Sequence, residues 1–154
     1  MIYFETKGGI KRDRILAYKV IKFCIKKLLP RHRNLYISCT LTNTLKDGMY
    51  GWCMDSYEKK TYEIGIHNRL SRDGVLLVSD GVYDFITTVC HEMVHVMQYA
   101  TKKYVQSDAS FQMWKCKDSK YRNYARTDYD KQPWETQAYA MEYSLAEEFI
   151  ETCL

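Results

Sequence analysis

Val82-Tyr83-Asp84-Phe85-Ile86-Thr87-Thr88-Val89-Cys90-His91-Glu92-Met93-Val94-His95-Val96-Met97-Gln98-Tyr99-Ala100 is the stretch on which the fold turns. Val82, Phe85, Ile86, Val89, Met93, Val96, Met97 and Ala100 recur at three- and four-residue spacing, the period of an amphipathic helix spanning about 82–101. Asp80 and Asp84 are candidate caps with favourable first-turn charge. Asp84, Thr88, His91, His95 and Gln98 fall on another face, at the edge of the apolar stripe. Cys90 and Met93 are expected to pack.

Within this helix His91-Glu92-Met93-Val94-His95 forms an H-E-x-x-H pattern. Residues i and i+4 stack on one face, one turn apart. Two imidazoles held that way can share one metal ion at about 2.0–2.1 Å each. Glu92 projects roughly 100° round from His91, so it can stand beside the ion without binding it and accept a proton from an activated water. The bland alternative is a helix with two incidental histidines.

A catalytic zinc usually has three protein ligands. The other histidines, His32 and His67, lie upstream, so a downstream carboxylate is the natural third donor. Pro133-Trp134-Glu135-Thr136-Gln137-Ala138 opens a last helix at about 133–152, with Pro in the first turn and Asp128 and Asp130 as candidate caps. Glu135 shares a face with Ala138, Tyr139, Glu142, Leu145 and Phe149, and the small Ala138 permits close approach to the metal helix. Glu135 is the expected third ligand of a His2Glu zinc site and Glu142 the alternative. A glutamate complementing the helix dipole is the structural reading.

His91 to Gln98 followed by Pro133-Trp134-Glu135-Thr136-Gln137-Ala138-Tyr139 resembles the small phage-encoded and SprT-like zincin metallopeptidases, whose pattern is H-E-x-x-H-x-x-Q and then P-W-E-x-x-A. The likeness covers roughly residues 50–150. It implies zinc on His91, His95 and Glu135, Glu92 as general base, and a cleft-edge strand that pairs with substrate backbone. Residues 61–67 are the expected edge strand. The extended metzincin motif is absent, since Gln98 stands where it needs a glycine and Thr101 where it needs a histidine. No C-x-x-C occurs in this sequence, so neither the zinc ribbon of the larger relatives nor a DNA-repair role is expected of it.

A chain of 154 residues reads as one zincin-like domain, 1–154, able to bury roughly 68–70% of its unfolded surface. Hydrophobic content of 46% and charge of 27% are globular values. The start of the chain does not read as a secretory signal. The six cysteines are therefore expected as thiols in a reducing cytoplasm, with Cys24, Cys39 and Cys90 as buried hydrophobes. No stretch is long and apolar enough to span a membrane.

Charge is uneven. Residues 1–35 hold ten Lys/Arg against two Asp/Glu, and 36–154 hold thirteen against seventeen, a split of +8 and −4. The basic residues crowd a helix at about 12–29, ended by Pro30. A solvated face is the favoured reading and nucleic-acid contact the weaker one.

The remaining order is strand 34–42, turns at Asp47-Gly48 and Tyr50-Gly51, strand 60–68, and an irregular region 102–130. Strands first and site helices last predict an α+β domain with a small mixed or antiparallel sheet. In the long connection Phe111 to Cys116 reads as a short strand or hairpin. Tyr121, Arg122, Tyr124, Arg126 and Tyr129 are candidates to line the cleft, Tyr129 as oxyanion donor. The expected activity is hydrolysis of a peptide or protein substrate. The rivals are a silent metal-stabilised binding protein and a nucleic-acid-associated factor. Oligomeric state is not encoded legibly.

Overall fold

The computed structural model describes residues 1–43, 50–56, 58–67 and 80–154. The chain runs β1 (Tyr3–Gly8), α1 (Lys11–Leu28), β2 (Tyr36–Thr42), β3 (Gly51–Asp55), β4 (Thr61–His67), α2 (Asp80–Ala100), β5 (Tyr104–Asp108), β6 (Phe111–Lys115), β7 (Tyr121–Asn123) and α3 (Pro133–Cys153), with a short 3-10 turn at Tyr129–Lys131 before α3. It is an α+β domain.

The main sheet has the order β1-β2-β4-β3. β1, β2 and β4 are parallel, and β3 joins antiparallel to β4. The register aligns Ile37 with Tyr62, Cys39 with Ile64 and Leu41 with Ile66, and all six are buried. Period-2 alternation puts this set on one face of the sheet. Against the sheet pack α1, through Ala17, Val20, Ile21 and Cys24, and α2, through Phe85, Ile86, Val89 and Met93. Full burial of such side chains contributes about 1.5–3 kcal/mol each. The hydrophobic layer therefore holds α2 in place whatever its polar face carries. α3 lies on α2, with Trp134, Ala138, Leu145, Ala146 and Phe149 buried.

Several local expectations change. β1 and β3 have no counterpart in the sequence reading. β3 begins at Gly51, which reads as a turn in the sequence, whereas Asp47-Gly48 lies outside the described residues. The expected edge strand, 61–67, is interior, paired by β2 and β3; among the described residues the edge beside the cleft is β3. The irregular 102–130 region holds an antiparallel meander, β5-β6-β7. Asp84 is not a cap, because α2 already starts at Asp80. Asp128 and Asp130 do not cap α3. Its N-cap is Gln132, and the two aspartates belong to the preceding 3-10 turn.

Two glycines are dictated by close approach. A Cβ on Gly65 would stand 2.2 Å from Trp52 Nε1, so the indole lies on bare backbone. A Cβ on Gly51 would stand 2.9 Å from Glu92 Oε1 and from Thr88 Cγ2, which brings β3 directly against the H-E-x-x-H helix. All six cysteines are thiols, with Cys24, Cys39 and Cys90 buried as expected. Among the described residues no helix is long and apolar enough to cross a membrane.

Candidate metal centre

α2 and α3 converge on a polar cluster enclosed by the core. His91, Glu92, His95, Glu135 and Glu142 are each only 5–7% exposed, and Gln98 is fully buried. Three charged carboxylates in such a place are costly unless a cation or strong donors offset them.

The hydrogen bonds fix how the imidazoles point. His91 Nδ1 lies 2.7 Å from Glu142 Oε2, and His95 Nδ1 lies 2.8 Å from Gln98 Oε1. Gln98 uses its Nε2 to donate to Trp134 O at 3.0 Å and to Gln137 Oε1 at 2.9 Å. Its Oε1 can therefore only accept, and both histidines donate from Nδ1. Their Nε2 atoms are left facing each other at 3.2 Å. Glu135 completes the group, with Oε2 3.0 Å from His91 Nε2 and Oε1 3.2 Å from His95 Nε2. Two lone pairs and a carboxylate aimed at one point demand a positive charge between them.

A tetrahedral ion with bonds of about 2.0–2.1 Å spaces its donors about 3.3–3.4 Å apart. The Nε2–Nε2 separation of 3.2 Å is close to that spacing, and with one donor atom from each residue the three lie within 4.8 Å of one another. His91, His95 and Glu135 thus form a buried group able to hold a metal ion. It is consistent with an H-E-x-x-H-type, zincin-like site. Glu142, the alternative ligand, reaches the far side of His91 and orients it. Carboxylate and amide partners of this kind set the tautomer and raise ligand basicity.

Electrostatics follow from the same contacts. Burial opposes the His91 imidazolium, but the hydrogen bonds with Glu135 and Glu142 outweigh it and raise the pKa to about 10. His95 shifts the same way, with Glu135 overcoming burial. Burial also opposes the Glu135 carboxylate, and the two histidines bring it down to about 2. Protons and a metal ion compete for the same Nε2 lone pairs. Glu92 behaves differently. Burial dominates and lifts it to about 7, against the pull of His95 and His91. None of the described residues supplies it a hydrogen bond.

The group opens into a cleft of about 780 Å³ between β3, α2 and α3. Tyr139 packs on the His91 ring at 4.7 Å. The Tyr129 hydroxyl donates to Glu135 Oε2 at 3.0 Å and lies 3.4 Å from the Tyr139 hydroxyl. Of the five residues expected from the 102–130 region only Tyr129 lines the cleft; Tyr121, Arg122, Tyr124 and Arg126 do not. Instead β5 supplies Tyr104 and Gln106. Tyr104 belongs to a ladder of rings, stacking on Tyr99 at 4.9 Å and on Trp134 at 4.2 Å. The alternation of Tyr104-Val105-Gln106 was the available signal for β5. Nothing local to the sequence announced Gly51 as a neighbour of Glu92. Cys116 stands apart from the centre, beside the Tyr124 hydroxyl.

No protein-family model, no curated protein and no solved structure matches this chain.

Proposed function

We propose that this chain is a zinc-dependent metallopeptidase with His91, His95 and Glu135 as ligands and Glu92 as general base. One observation carries the proposal: Gln98 and Glu142 hold both Nδ1–H groups, so both Nε2 lone pairs converge with Glu135. Zinc bound there would supply a Lewis acid that polarises a carbonyl and acidifies water.

The chain's own groups account for the rest. Glu92, lifted to about 7, changes protonation state near neutrality. That is the condition for taking a proton from water and returning it to a leaving amine. Gln98 and Glu142 keep the imidazoles fixed. Tyr129, a phenol at the cleft rim, donates its O–H to Glu135 Oε2 and would serve as oxyanion donor by turning that O–H to an oxygen on a bound carbonyl. The outer edge of β3 carries main-chain groups suited to pairing with an extended peptide.

Metal analysis and peptide hydrolysis on wild type and Glu92→Gln test the proposal together. Both proteins should hold about one zinc per chain, and the variant should lose on the order of 10²–10⁴-fold in rate. Full activity in the variant removes Glu92 from its role. A wild type that binds zinc and cleaves nothing is the silent binding protein.

A second reading has one observation in its favour. Lys11, Lys19, Lys22 and Lys26 are exposed along one stripe of α1, a footprint suited to phosphates. Retention on immobilised DNA that falls steeply with salt supports it, and no retention at low salt dismisses it.

A further inference from the structure

The chain carries a formal charge of +4, yet no lysine or arginine lines the cleft among the described residues. Four carboxylates do: Asp84, Glu92, Glu135 and Glu142. A divalent ion at the histidines offsets two negative charges, so the cleft stays anionic when the four are ionised.

The charge outside the metal centre is localised. Asp84 lies seven residues before His91 on α2, on the same helix face and about 10.5 Å along the axis. It is exposed, and no ion pair holds it among the described residues. Across the cleft, Tyr139 and Tyr143 project one turn apart from α3, 48% and 54% exposed. Tyr143 stacks on Tyr83 at 6.3 Å, which fixes its ring. Its phenol is shifted upward by Glu142 foremost, with burial and Asp84 adding, so both carboxylates act on this wall. One buried carboxylate, Glu92 at 5% exposure, also faces the cleft with no hydrogen-bond donor among the described residues.

Aromatic faces beside an exposed carboxylate fit a long cationic side chain, whose stem lies on the rings while its head meets the acid. An acidic side chain there would meet like charge. An extended peptide advances about 3.3 Å per residue, so 10.5 Å corresponds to about three residues.

We infer that this arm of the cleft, formed by Asp84, Tyr139 and Tyr143, is a subsite for a lysine or arginine side chain about three residues from the scissile bond. The position relative to a scissile bond rests on the peptidase reading; the preference for a cation does not.

The test separates the two. Zinc-loaded Glu92→Gln protein is titrated by calorimetry with two series of a neutral nonapeptide, one scanning Lys and one scanning Glu through each position. One Lys position should bind at least about tenfold tighter than its Glu counterpart. Asp84→Lys, a change at an exposed site with zinc content as the folding control, should reverse that order, and Tyr143→Ala should weaken it. Equal affinities in the two series, or an unchanged order in Asp84→Lys, overturn the subsite. The same peptides are then given to the wild type. Selective binding with no cleavage upholds the subsite and sinks the peptidase reading. Cleavage indifferent to Lys or Glu, with equal binding, does the opposite.

Discussion

Gln98→Leu should separate the metal centre from the core that supports it. Gln98 is fully buried and makes three hydrogen bonds, from His95 Nδ1 and to Trp134 O and Gln137 Oε1. Leucine nearly fills the same volume, so no large cavity opens. Gln137 is half-buried and can turn to water. The His95 N–H and the Trp134 carbonyl cannot, and an unsatisfied buried group costs about 1–3 kcal/mol. A carbonyl has a second lone pair to use, so the expected loss is about 2–4 kcal/mol. In a chain of this size 1 kcal/mol moves Tm by about 2–4 °C, which places the drop at no less than about 4 °C. His95 also loses the partner that sets its tautomer, and loss of such partners lowers metal affinity about 10–100-fold. Thermal melts with excess chelator and with zinc, together with chelator competition, measure both effects. A variant with unchanged Tm and unchanged affinity would refute the assignment of Gln98 as the strut between α2 and α3.

Three other outcomes are expected. Zinc affinity should fall as pH falls, because the His91 pKa is raised to about 10 and its proton must leave before metal binds at any lower pH; competition at pH 6, 7 and 8 should show about tenfold weakening per unit for each proton displaced, and a flat profile contradicts the proton–metal exchange. Gly51→Ala should retain zinc but lose turnover, since the new methyl would stand 2.9 Å from Glu92 Oε1; unchanged kcat with unchanged zinc would show that β3 does not position the base. Glu142→Gln should weaken zinc binding about 10–100-fold, whereas Glu135→Gln, which alters a ligand, should cost more; the reverse order would exchange their roles.

α2 was legible because its information is local. A 3.6-residue period decides which side chains share a face, so the apolar stripe and the His91–His95 pair follow from spacing alone. Pro133 and the apolar spacing after it marked α3 for the same reason, and α1 likewise. The meander in 102–130 was less visible, because its strands are three to five residues long and alternation over so few residues barely rises above loop composition.

The sequence by itself determined the helices and the two imidazoles placed one turn apart, where they could share a metal ion. Only the tertiary structure decided which glutamate does what. Glu135 and Glu142 lie on the same face of α3, two turns apart, and both reach His91, one at Nε2 and one at Nδ1. That difference comes from the approach of α3 to α2 across a fully buried Ala138. Strand order was hidden likewise: β4 is enclosed by β2 and β3, and β2 returns after α1 to pair parallel with β1. Pairings of this kind are contacts between residues distant in the chain, set by which faces must be buried together, and no local period records them.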